Sequence, residues 1–397
     1  MRILFVSIEY PPETPDGIGS YVAEIAPALV ARGHEVHVLS CLPDQRRSDR
    51  IDRGVHVHRR GELRLRGLHR LGARKTSARI RHALSCRVET ARLGLAFDVV
   101  EAADWMAEGL GLAFRRPAPL VVHLHTPLAV TSRYAGSPKT VDLRVASALE
   151  RSAVRRADLV TSPSERLLAE VGPSWLAGKP VRVVRLPIAP REIAPGSTPD
   201  RAPPVVLYVG RLEQLKAPEL LVEAAARLGS ELEVVFVGRS AAARDGKPYR
   251  EWLESFARQL DAPVRFEAEV PRDELARFYL GARVVAVPSR HENLPYAGLE
   301  ALAFGRPVVC RSSSGLAELL LRSGAGAVVQ EEGAEAFAAA LRPFLEDPAR
   351  AAEAGERARE LVERHCAPSV IAEQREAVYQ EAISSRRRRR SPSGTGA

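Results

Sequence analysis

Short β-branched runs alternate with longer helical patterns along almost the whole chain, and this alternation restricts the fold more than any other feature. At the start, Ile3–Ile8 and Glu35–Leu39 predict strands on either side of a helix over Ile18–Arg32. Gly33 stands where a helix is expected to end in a left-handed residue. Strands that alternate with helices predict a parallel sheet covered by helices on both faces.

The same alternation occurs twice, on either side of a proline-rich segment over residues 187–204 that is typical of a linker. The further strand-like runs are Val99–Val100, Leu120–His123, Leu159–Ser162, Val181–Arg185, Val205–Val209, Glu233–Val237, Val264–Phe266, Arg283–Val287 and Pro307–Cys310. The expected fold class is therefore α/β, with two Rossmann-like, doubly wound parallel sheets that face each other across a cleft.

This pattern gives definite domain boundaries. We expect an N-terminal domain over residues 1–189, a linker over 190–204 and a C-terminal domain over 205–369. A helix over 370–384 is long enough to cross back to the first domain. Residues 385–397 are rich in Arg, Ser, Pro and Gly, and this composition predicts a disordered tail.

The net charge of +9 is concentrated in two places. Residues 46–92 carry fifteen Lys or Arg against four acidic residues, and Arg386–Arg390 adds five more. A nucleic-acid-binding protein would be basic. Aromatic residues make up only 5% of the chain, however, and the positive charge avoids the predicted cleft. We therefore rank nucleic-acid binding well below an enzymatic function.

The cysteines and the hydropathy indicate the compartment. Four cysteines are scattered without a CxxC pair, which is typical of a reducing environment. No apolar run approaches the ~18 residues of a membrane span, and the apolar start is too short for a signal peptide. The sequence predicts a cytoplasmic protein.

Ligands of open α/β sheets bind beyond the carboxyl ends of the strands. Gly17, Ile18 and Gly19 follow the first strand and open the first helix. Glycines there let the backbone approach a ligand, and the helix start offers N–H groups to an anion. The third glycine of GxGxxG is missing, which disfavours a dehydrogenase. The alternative for this segment is a turn that needs glycine for its conformation alone.

Two cations, Arg211 and Lys216, follow the first strand of the second domain. They could bind a diphosphate, or they could be an ordinary pair of surface charges. The sequence contains no Asp-x-Asp with which to hold a metal. Neutralising a departing diphosphate would then fall to Arg and Lys, so we expect no metal cofactor.

The stretch Val287–Pro307 contains two acidic residues of interest, Glu292 on a loop and Glu300 on a helix among apolar neighbours. A buried carboxylate needs hydrogen-bond donors, and sugar and ribose hydroxyls are such donors. The alternative is a structural glutamate paired with Arg306 or Arg311.

Taken together, these residues resemble the retaining glycosyltransferases of the GT-B fold, family four (glycosyl transferases group 1), over nearly the full length. The main motif is Glu292, seven residues and Glu300, ahead of Gly305-Arg306-Pro307. The supporting motifs are Gly210-Arg211-Leu212 with Lys216, Phe236-Val237-Gly238, Gly315–Glu318, Gly17-Ile18-Gly19, Arg32–Val36, His123–Pro127 and Ala157–Val160 with Ser164. The resemblance implies metal-independent transfer of a sugar from a nucleotide-diphosphate-sugar to an acceptor hydroxyl, with retention of configuration.

The resemblance also implies roles for individual residues. Glu300 would hold the ribose hydroxyls, Glu292 the donor sugar, and His125 would lie near the anomeric carbon. The departing phosphate oxygen would take the acceptor proton, so no dedicated base is required. The implied catalytic set is Arg211, Lys216, Glu292 and His125. The implied donor-binding set is Gly17, Ile18, Gly19, Gly210, Arg211, Lys216, Gly238, Val270, Glu292, Asn293, Leu294, Pro295, Tyr296 and Glu300.

The acceptor, by the same resemblance, would bind chiefly to the first domain. Asp104 and Trp105 follow a predicted strand there, so Asp104 could bond to an acceptor hydroxyl while Trp105 and His125 line the site. Trp105 could equally be a core residue. The acceptor could be a glycan, a glycolipid or a small metabolite.

The basic region suggests a location for the enzyme. A helical pattern places apolar residues on one face and Arg79, Arg81, Arg87 and Arg92 elsewhere; the apolar set is Ile80, Leu84, Val88, Ala91 and Leu95. Such a helix would suit an anionic membrane surface and a lipid-linked acceptor. A solvated helix face is an equal alternative.

Three positions depart from the family pattern. Asp16 stands where another glycine is common, Leu186-Pro187 replaces a polar turn, and Ala268 stands where a glycine is common near the nucleotide base. A nucleotide-sugar epimerase of the same two-domain build is the rival enzyme, and the paired spacing of Glu292 and Glu300 argues against it.

Overall fold

A computed structural model describes residues 1–13, 17–44, 46–64, 73–115, 117–176, 178–191, 202–240 and 243–390. The chain divides into two compact units. The N-terminal unit consists of Met1–Pro187 together with the chain from Pro368 onward, and the C-terminal unit is Ile188–Ala367. Most of the expected linker, residues 192–201, and Asp16 lie outside the described residues.

The N-terminal unit is built on one eight-stranded sheet, in the order β3-β4-β2-β1-β5-β6-β7-β8. Neighbouring strands are parallel except for the antiparallel pair β3–β4. The strands are β1 Arg2–Val6, β2 Glu35–Leu42, β3 Ser48–Asp52, β4 Val55–Gly61, β5 Val99–Ala103, β6 Leu120–His123, β7 Leu159–Ser162 and β8 Val181–Val183.

Helices cover both faces of this sheet, as buried parallel strands require. Thr140 and Ser164 cap two of them by accepting from the backbone N–H three residues on. The helices are α1 Gly17–Ala31, α2 Arg74–Arg92, α3 Leu110–Arg115, α4 Leu128–Tyr134, α5 Val141–Arg156, α6 Glu165–Val171, α7 Pro173–Leu176 and, at the end of the chain, α15 Pro368–Arg390.

The C-terminal unit has a six-stranded parallel sheet in the order β13-β10-β9-β14-β15-β16 and a separate hairpin, β11–β12. Its strands are β9 Val205–Val209, β10 Glu233–Val237, β11 Ala243–Arg244, β12 Lys247–Pro248, β13 Val264–Glu267, β14 Val284–Val287, β15 Val308–Arg311 and β16 Gly326–Val329. Its helices are α8 Pro218–Leu228, α9 Tyr249–Gln259, α10 Leu275–Gly281, α11 Tyr296–Ala303, α12 Ala317–Leu320, α13 Ala334–Glu346 and α14 Pro348–His365.

The expected fold class is confirmed, because each unit is an α/β layer built on a parallel sheet. Gly33 has the expected left-handed conformation, with φ of +83°. The sequence analysis missed the antiparallel β3–β4 hairpin at the edge of the first sheet. Strand β3 is polar, and β4 alternates the buried Val55 and Val57 with polar residues, so neither has the continuous apolar run that marks most of the parallel strands.

The apolar residues expected on one face of α2 do not form its buried side, and their contact with a membrane surface stays a prediction. Ile80, Leu84 and Val88 are only half-buried, and Ala91 and Leu95 are exposed. The buried side of α2 is instead polar and includes Arg79, His82 and Glu89. Helix α2 packs on α5, α3 and β2, and its buried polar side chains form ion pairs beside the apolar contacts of Ala83 and Cys86.

Three arginines of α2 are neutralised within the unit. Arg79 pairs with Glu150 at 2.6 Å, Arg81 with Glu62 at 2.6 Å and Arg92 with Glu89 at 2.6 Å. His82 Nδ1 donates to Glu62 Oε1 at 2.9 Å. Burial opposes the charged form of His82, but Glu108 and Glu62 together raise its pKa to about 9. These three arginines thus form ion pairs that stabilise the fold of the unit.

Helix α15 packs against α1 and the first sheet, and it is longer than the sequence predicted. Residues 385–390, assigned to a disordered tail, are helical. Arginine is a good helix former, and Arg386 is buried with a guanidinium nitrogen 3.9 Å from Asp158. Residues 391–397 lie outside the described residues. No helix of the described ranges has the length and hydropathy that a bilayer span requires.

Candidate active site

The loops after β9 and β14 bring the main predicted cation and the main predicted acid together in the C-terminal unit. After β9, Gln214–Lys216 forms one turn of 3-10 helix, Ala217 adopts a left-handed conformation with φ of +46°, and Pro218 begins α8. Proline at the first helical position needs no N–H partner. This local structure fixes Lys216 at the carboxyl end of the sheet.

Arg290 attaches this turn to the loop after β14. Its backbone N–H donates to the Leu215 carbonyl at 2.9 Å, and its Nε donates to the Gln214 carbonyl at 3.1 Å. Its Nη2 also donates to Glu219 Oε1 at 2.7 Å. Arg290 therefore sets the distance between the two loops, a role that the sequence analysis did not assign to it.

As a result, Lys216 Nζ forms an ion pair with Glu292 Oε1. Ser289 Oγ donates to the same oxygen at 3.1 Å, and the Glu292 carbonyl accepts from Gly315 N at 3.0 Å. Both charged side chains are mostly but not wholly covered, with 18% of Lys216 and 14% of Glu292 exposed. A partly exposed ammonium that is held by a carboxylate can still donate to an incoming anion, because it has three N–H groups.

Glu300 lies on α11, where its carboxylate is buried and each of its two oxygens accepts one hydrogen bond. Oε1 accepts from Arg272 Nε at 2.9 Å, and Oε2 accepts from the Tyr279 hydroxyl at 2.9 Å. These partners differ from the alternative of Arg306 or Arg311. Arg272 also stacks over the Tyr296 ring at 5.7 Å. Arg272 and Tyr279 were missed because they come from α10 and the turn before it, far from the Glu292–Glu300 motif.

Gly210 and Gly238 lie at the ends of neighbouring strands and touch each other through their backbones. Their φ angles are +156° and +152°. A Cβ on Gly238 would lie 2.0 Å from the Gly210 carbonyl oxygen, so no other residue fits there. Packing against Gly210 thus accounts for the glycine at 238, the positive φ accounts for the glycine at 210, and their predicted contact with the donor stays a prediction.

The remaining predicted donor residues lie around these loops. Arg211 pairs with Glu213 at 3.1 Å and is half-exposed, and no contact joins it to Lys216 or Glu292 among the described residues. Asn293 and Leu294 are buried, Pro295 precedes α11, and Val270 follows β13.

The start of α1 is occupied by a carboxylate of the protein itself. Ile18 N and Gly19 N donate to Glu9 Oε2 at 3.0 and 3.1 Å. Of the three residues expected to meet the donor phosphate, Gly17, Ile18 and Gly19, the last two therefore already donate their N–H groups to an anion. The sequence contains a signal, since Glu9 lies in the loop after β1, three residues beyond its end, but the partner of Glu9 depends on how that loop turns back.

Asp104 and His125 are linked at the carboxyl ends of β5 and β6. His125 N donates to Asp104 Oδ1 at 2.6 Å, and Asp104 is fully buried. Burial, together with the nearby charge of Glu150, raises the pKa of Asp104 to about 8, against the backbone donors that lower it. Asp104 thus orients His125, and its expected contact with an acceptor stays a prediction.

Trp105 lies in a strained loop directly after Asp104. Met106 and Ala107 have φ angles of +57° and +54°, which cost on the order of 1–3 kcal/mol each for residues other than glycine. Trp105 is half-buried, packs on Leu128, and has the Arg79 guanidinium 5.4 Å from its ring centre. The structure thus gives Trp105 a packing role.

A buried network from α15 lies behind His125. Arg375 is fully buried, with Nη1 3.2 Å from Glu101 Oε2 and 2.7 Å from Thr161 Oγ1, and Nη2 3.0 Å from His123 Nδ1. Burial and then the Arg375 charge lower the pKa of His125 to about 3. His125 is therefore neutral at physiological pH, mainly because it is buried, and sequence reasoning missed the arginine that adds to this effect.

Within the described ranges, no three His, Cys, Asp or Glu side chains converge as a site that could hold a metal ion. The positive charge at the candidate donor site comes from side chains, above all from Lys216.

Two family models together cover most of the chain. Residues 15–192 match the model described as Glycosyltransferase Family 4, and residues 191–361 match Glycosyl transferases group 1. The chain is 30% identical to a D-inositol 3-phosphate glycosyltransferase of Kineococcus radiotolerans, over 90% of both chains. It is 29% identical to a glycogen synthase of Mycobacterium tuberculosis, over 88% of this chain and 87% of that one.

Solved structures share the fold at lower identity. Sucrose-phosphate synthase of Thermosynechococcus elongatus has a TM-score of 0.78 at 22% identity, over 97% of this chain and 99% of that one. Anabaena HepE in complex with UDP-glucose has a TM-score of 0.69 at 20% identity, over 97% of this chain and 100% of that one.

Proposed function

The chain belongs to the family 4 glycosyltransferases and has their GT-B fold, and on this premise we propose that it transfers a sugar from a nucleotide-diphosphate-sugar to an acceptor hydroxyl, with retention of configuration and without a metal. The observation that carries the proposal is the contact of Lys216 with Glu292 at the carboxyl end of the second sheet.

Lys216 is suited to neutralise a diphosphate. Glu292 takes one of its three N–H groups, so the others can donate to phosphate oxygens. The ammonium is already oriented and partly desolvated, so little reorganisation is needed when charge builds up on the leaving group. Arg211, half-exposed on the same loop, supplies a second cation once the diphosphate draws it away from Glu213.

The two acids are suited to bind hydroxyl groups. Glu292 Oε1 accepts from Lys216 and Ser289, while its Oε2 has no bond to a described residue, so Oε2 can accept from a donor-sugar hydroxyl. Glu300 uses one acceptor position on each oxygen for Arg272 and Tyr279, and a carboxylate offers about four. The remaining positions can accept from ribose hydroxyls.

His125 is assigned to the reacting sugar or the acceptor. Because its pKa is lowered to about 3, it acts as a neutral hydrogen-bonding group and brings no competing positive charge to an oxocarbenium-like transition state. The departing phosphate oxygen then takes the acceptor proton. The relatives are named for different compounds, inositol phosphate and glycogen. The proposal therefore keeps three acceptor classes: a glycan, a glycolipid or a small metabolite.

A thermal-shift screen of nucleoside diphosphates and their sugars, with EDTA present, tests the donor part of this proposal. A ligand that binds the folded state raises Tm by mass action. We expect one nucleotide series to raise Tm without added metal. Incubating the selected donor with candidate acceptors, and reading the anomeric proton coupling of the product by NMR, then tests retention; an inverted product would contradict it.

A further inference from the structure

The outward side of α5 carries positive charge and exposed apolar side chains together. We call this surface the basic face and define it by Lys139, Val141, Arg144, Val145, Arg151 and Arg155. Val141 is 75% exposed and Val145 42% exposed. Helical spacing brings the five residues of α5 to one side, because positions three, four, seven and eleven apart share a face, and Lys139 lies just before the helix begins.

No acid of α5 offsets this charge, because both of its carboxylates point elsewhere. Asp142 accepts from Lys75 N and Thr76 N, each at 2.9 Å, and so caps α2. Glu150 is buried and pairs with Arg79. Across the described ranges, no carboxylate forms an ion pair with any of the four cations of the basic face.

A groove of about 360 Å³ runs beside the same helix. Lys139, Arg144 and Arg151 stand at its rim, and the mostly buried Leu143 and Trp175 form its floor. A cationic rim over an apolar floor matches the junction of a phosphate headgroup and an acyl chain.

We propose that the basic face docks on a bilayer that contains anionic phospholipid, with α5 parallel to the surface. The cations would contact headgroup phosphates, and Val141 and Val145 would enter the interfacial layer. The exposed apolar residues are valines and not aromatic side chains, which favours a lipid surface over single-stranded nucleic acid. This surface differs from the one that the sequence suggested on α2, and the proposal does not depend on sugar transfer.

Co-sedimentation of the full chain with vesicles tests the proposal. We expect binding to vesicles of phosphatidylcholine with phosphatidylglycerol, little binding to phosphatidylcholine alone, and weakening by added salt. The triple variant Lys139→Gln/Arg144→Gln/Arg151→Gln should lower the partition coefficient by about a hundredfold, since each cation near an anionic surface contributes about fivefold.

A matched variant tests whether vesicle binding depends on the basic face itself or only on the net charge of the protein. Arg258→Gln/Arg322→Gln/Arg364→Gln removes three exposed cations of the C-terminal unit and should bind anionic vesicles like the wild type. Val141→Ser/Val145→Ser, which keeps every charge, should bind several-fold more weakly. Equal losses in the two triple variants, or equal wild-type binding to neutral and anionic vesicles, would overturn the proposal. So would retention of an oligonucleotide that depends on the same residues, without vesicle binding.

Discussion

Lys216 Nζ pairs with Glu292 Oε1 across 76 positions of sequence, and Ser289 donates to the same carboxylate oxygen. The contact exists because parallel strands β9 and β14 are neighbours and their carboxyl ends share an edge of the sheet. In the sequence alone, Lys216 could be an ordinary surface charge and Glu292 an ordinary loop residue. The structure brings the two side chains together in one site.

Replacing either partner should remove sugar transfer and leave the protein folded. We expect Lys216→Ala and Glu292→Gln each to lower kcat by about 10²–10³, the range for a lost preorganised electrostatic contact. Lys247→Ala, at an exposed lysine of the same unit, is the matched control and should keep full activity. Steady-state kinetics and circular dichroism measure both properties; full turnover in both site variants would remove the assignment.

Arg290 should act through the position of Lys216. Arg290→Met removes the guanidinium bonds to Gln214 and Glu219, so of the Arg290 bonds to this segment only the backbone bond to Leu215 remains, and the turn that carries Lys216 is held less firmly. We expect kcat to fall about tenfold, and we expect the double variant with Lys216→Ala to be no worse than Lys216→Ala alone, since residues of one network are not additive. Additive losses in this double-mutant cycle would mean that Arg290 acts elsewhere.

The sequence predicted most of this second unit because its strands are continuous apolar runs and its loops carry family motifs. Lys216, Glu292 and Glu300 needed no coordinates to be singled out. Their partners did, because Arg272, Tyr279 and Arg290 become neighbours only through the order of strands and helices. The spacing of residues within one segment of sequence does not predict contacts between distant segments.

Arg375 should stabilise the N-terminal unit. Arg375→Met leaves Glu101 buried without its cation, and breaking a buried pair costs about 3–5 kcal/mol. Arg387→Met, at an exposed position of the same helix, should change the free energy of unfolding by less than about 0.5 kcal/mol. Urea denaturation compares the two variants, and equal effects would refute the role given to the buried network.

Asp104 should make the protein less stable in alkali. Its pKa is raised by folding from 3.8 to about 8. The stability from its protonated form is therefore complete below about pH 4 and is lost as the pH rises to 8 and beyond. The substitution Asp104→Asn keeps an acceptor for His125 N but removes the group that ionises.

We expect Asp104→Asn to leave the free energy of unfolding nearly unchanged at about pH 4 and to raise it by about 2 kcal/mol or more at about pH 9. Chemical denaturation at the two pH values measures this difference. A variant that is destabilised equally at both would contradict the raised pKa.

The N-terminal unit was harder to predict, and for one physical reason. Its helix α2 buries charged side chains in pairs, so hydrophobic periodicity does not identify the side of the helix that is buried. The start of α1 shows the same difficulty, because Glu9 fills an anion site that composition alone leaves open. Whether a polar side chain can be buried depends on its hydrogen-bond and ion-pair partners, and these lie far from it in the sequence.

Isothermal titration calorimetry in EDTA tests the central claim most directly, with the nucleoside diphosphate selected by thermal shift and the matching monophosphate. We predict that the wild type binds the diphosphate without metal. We further predict that Lys216→Ala raises the Kd of the diphosphate by about tenfold or more, which corresponds to the loss of one charge-assisted hydrogen bond. The Kd of the monophosphate should barely change. An unchanged Kd for the diphosphate in Lys216→Ala, or binding that requires added Mg²⁺, would contradict the account.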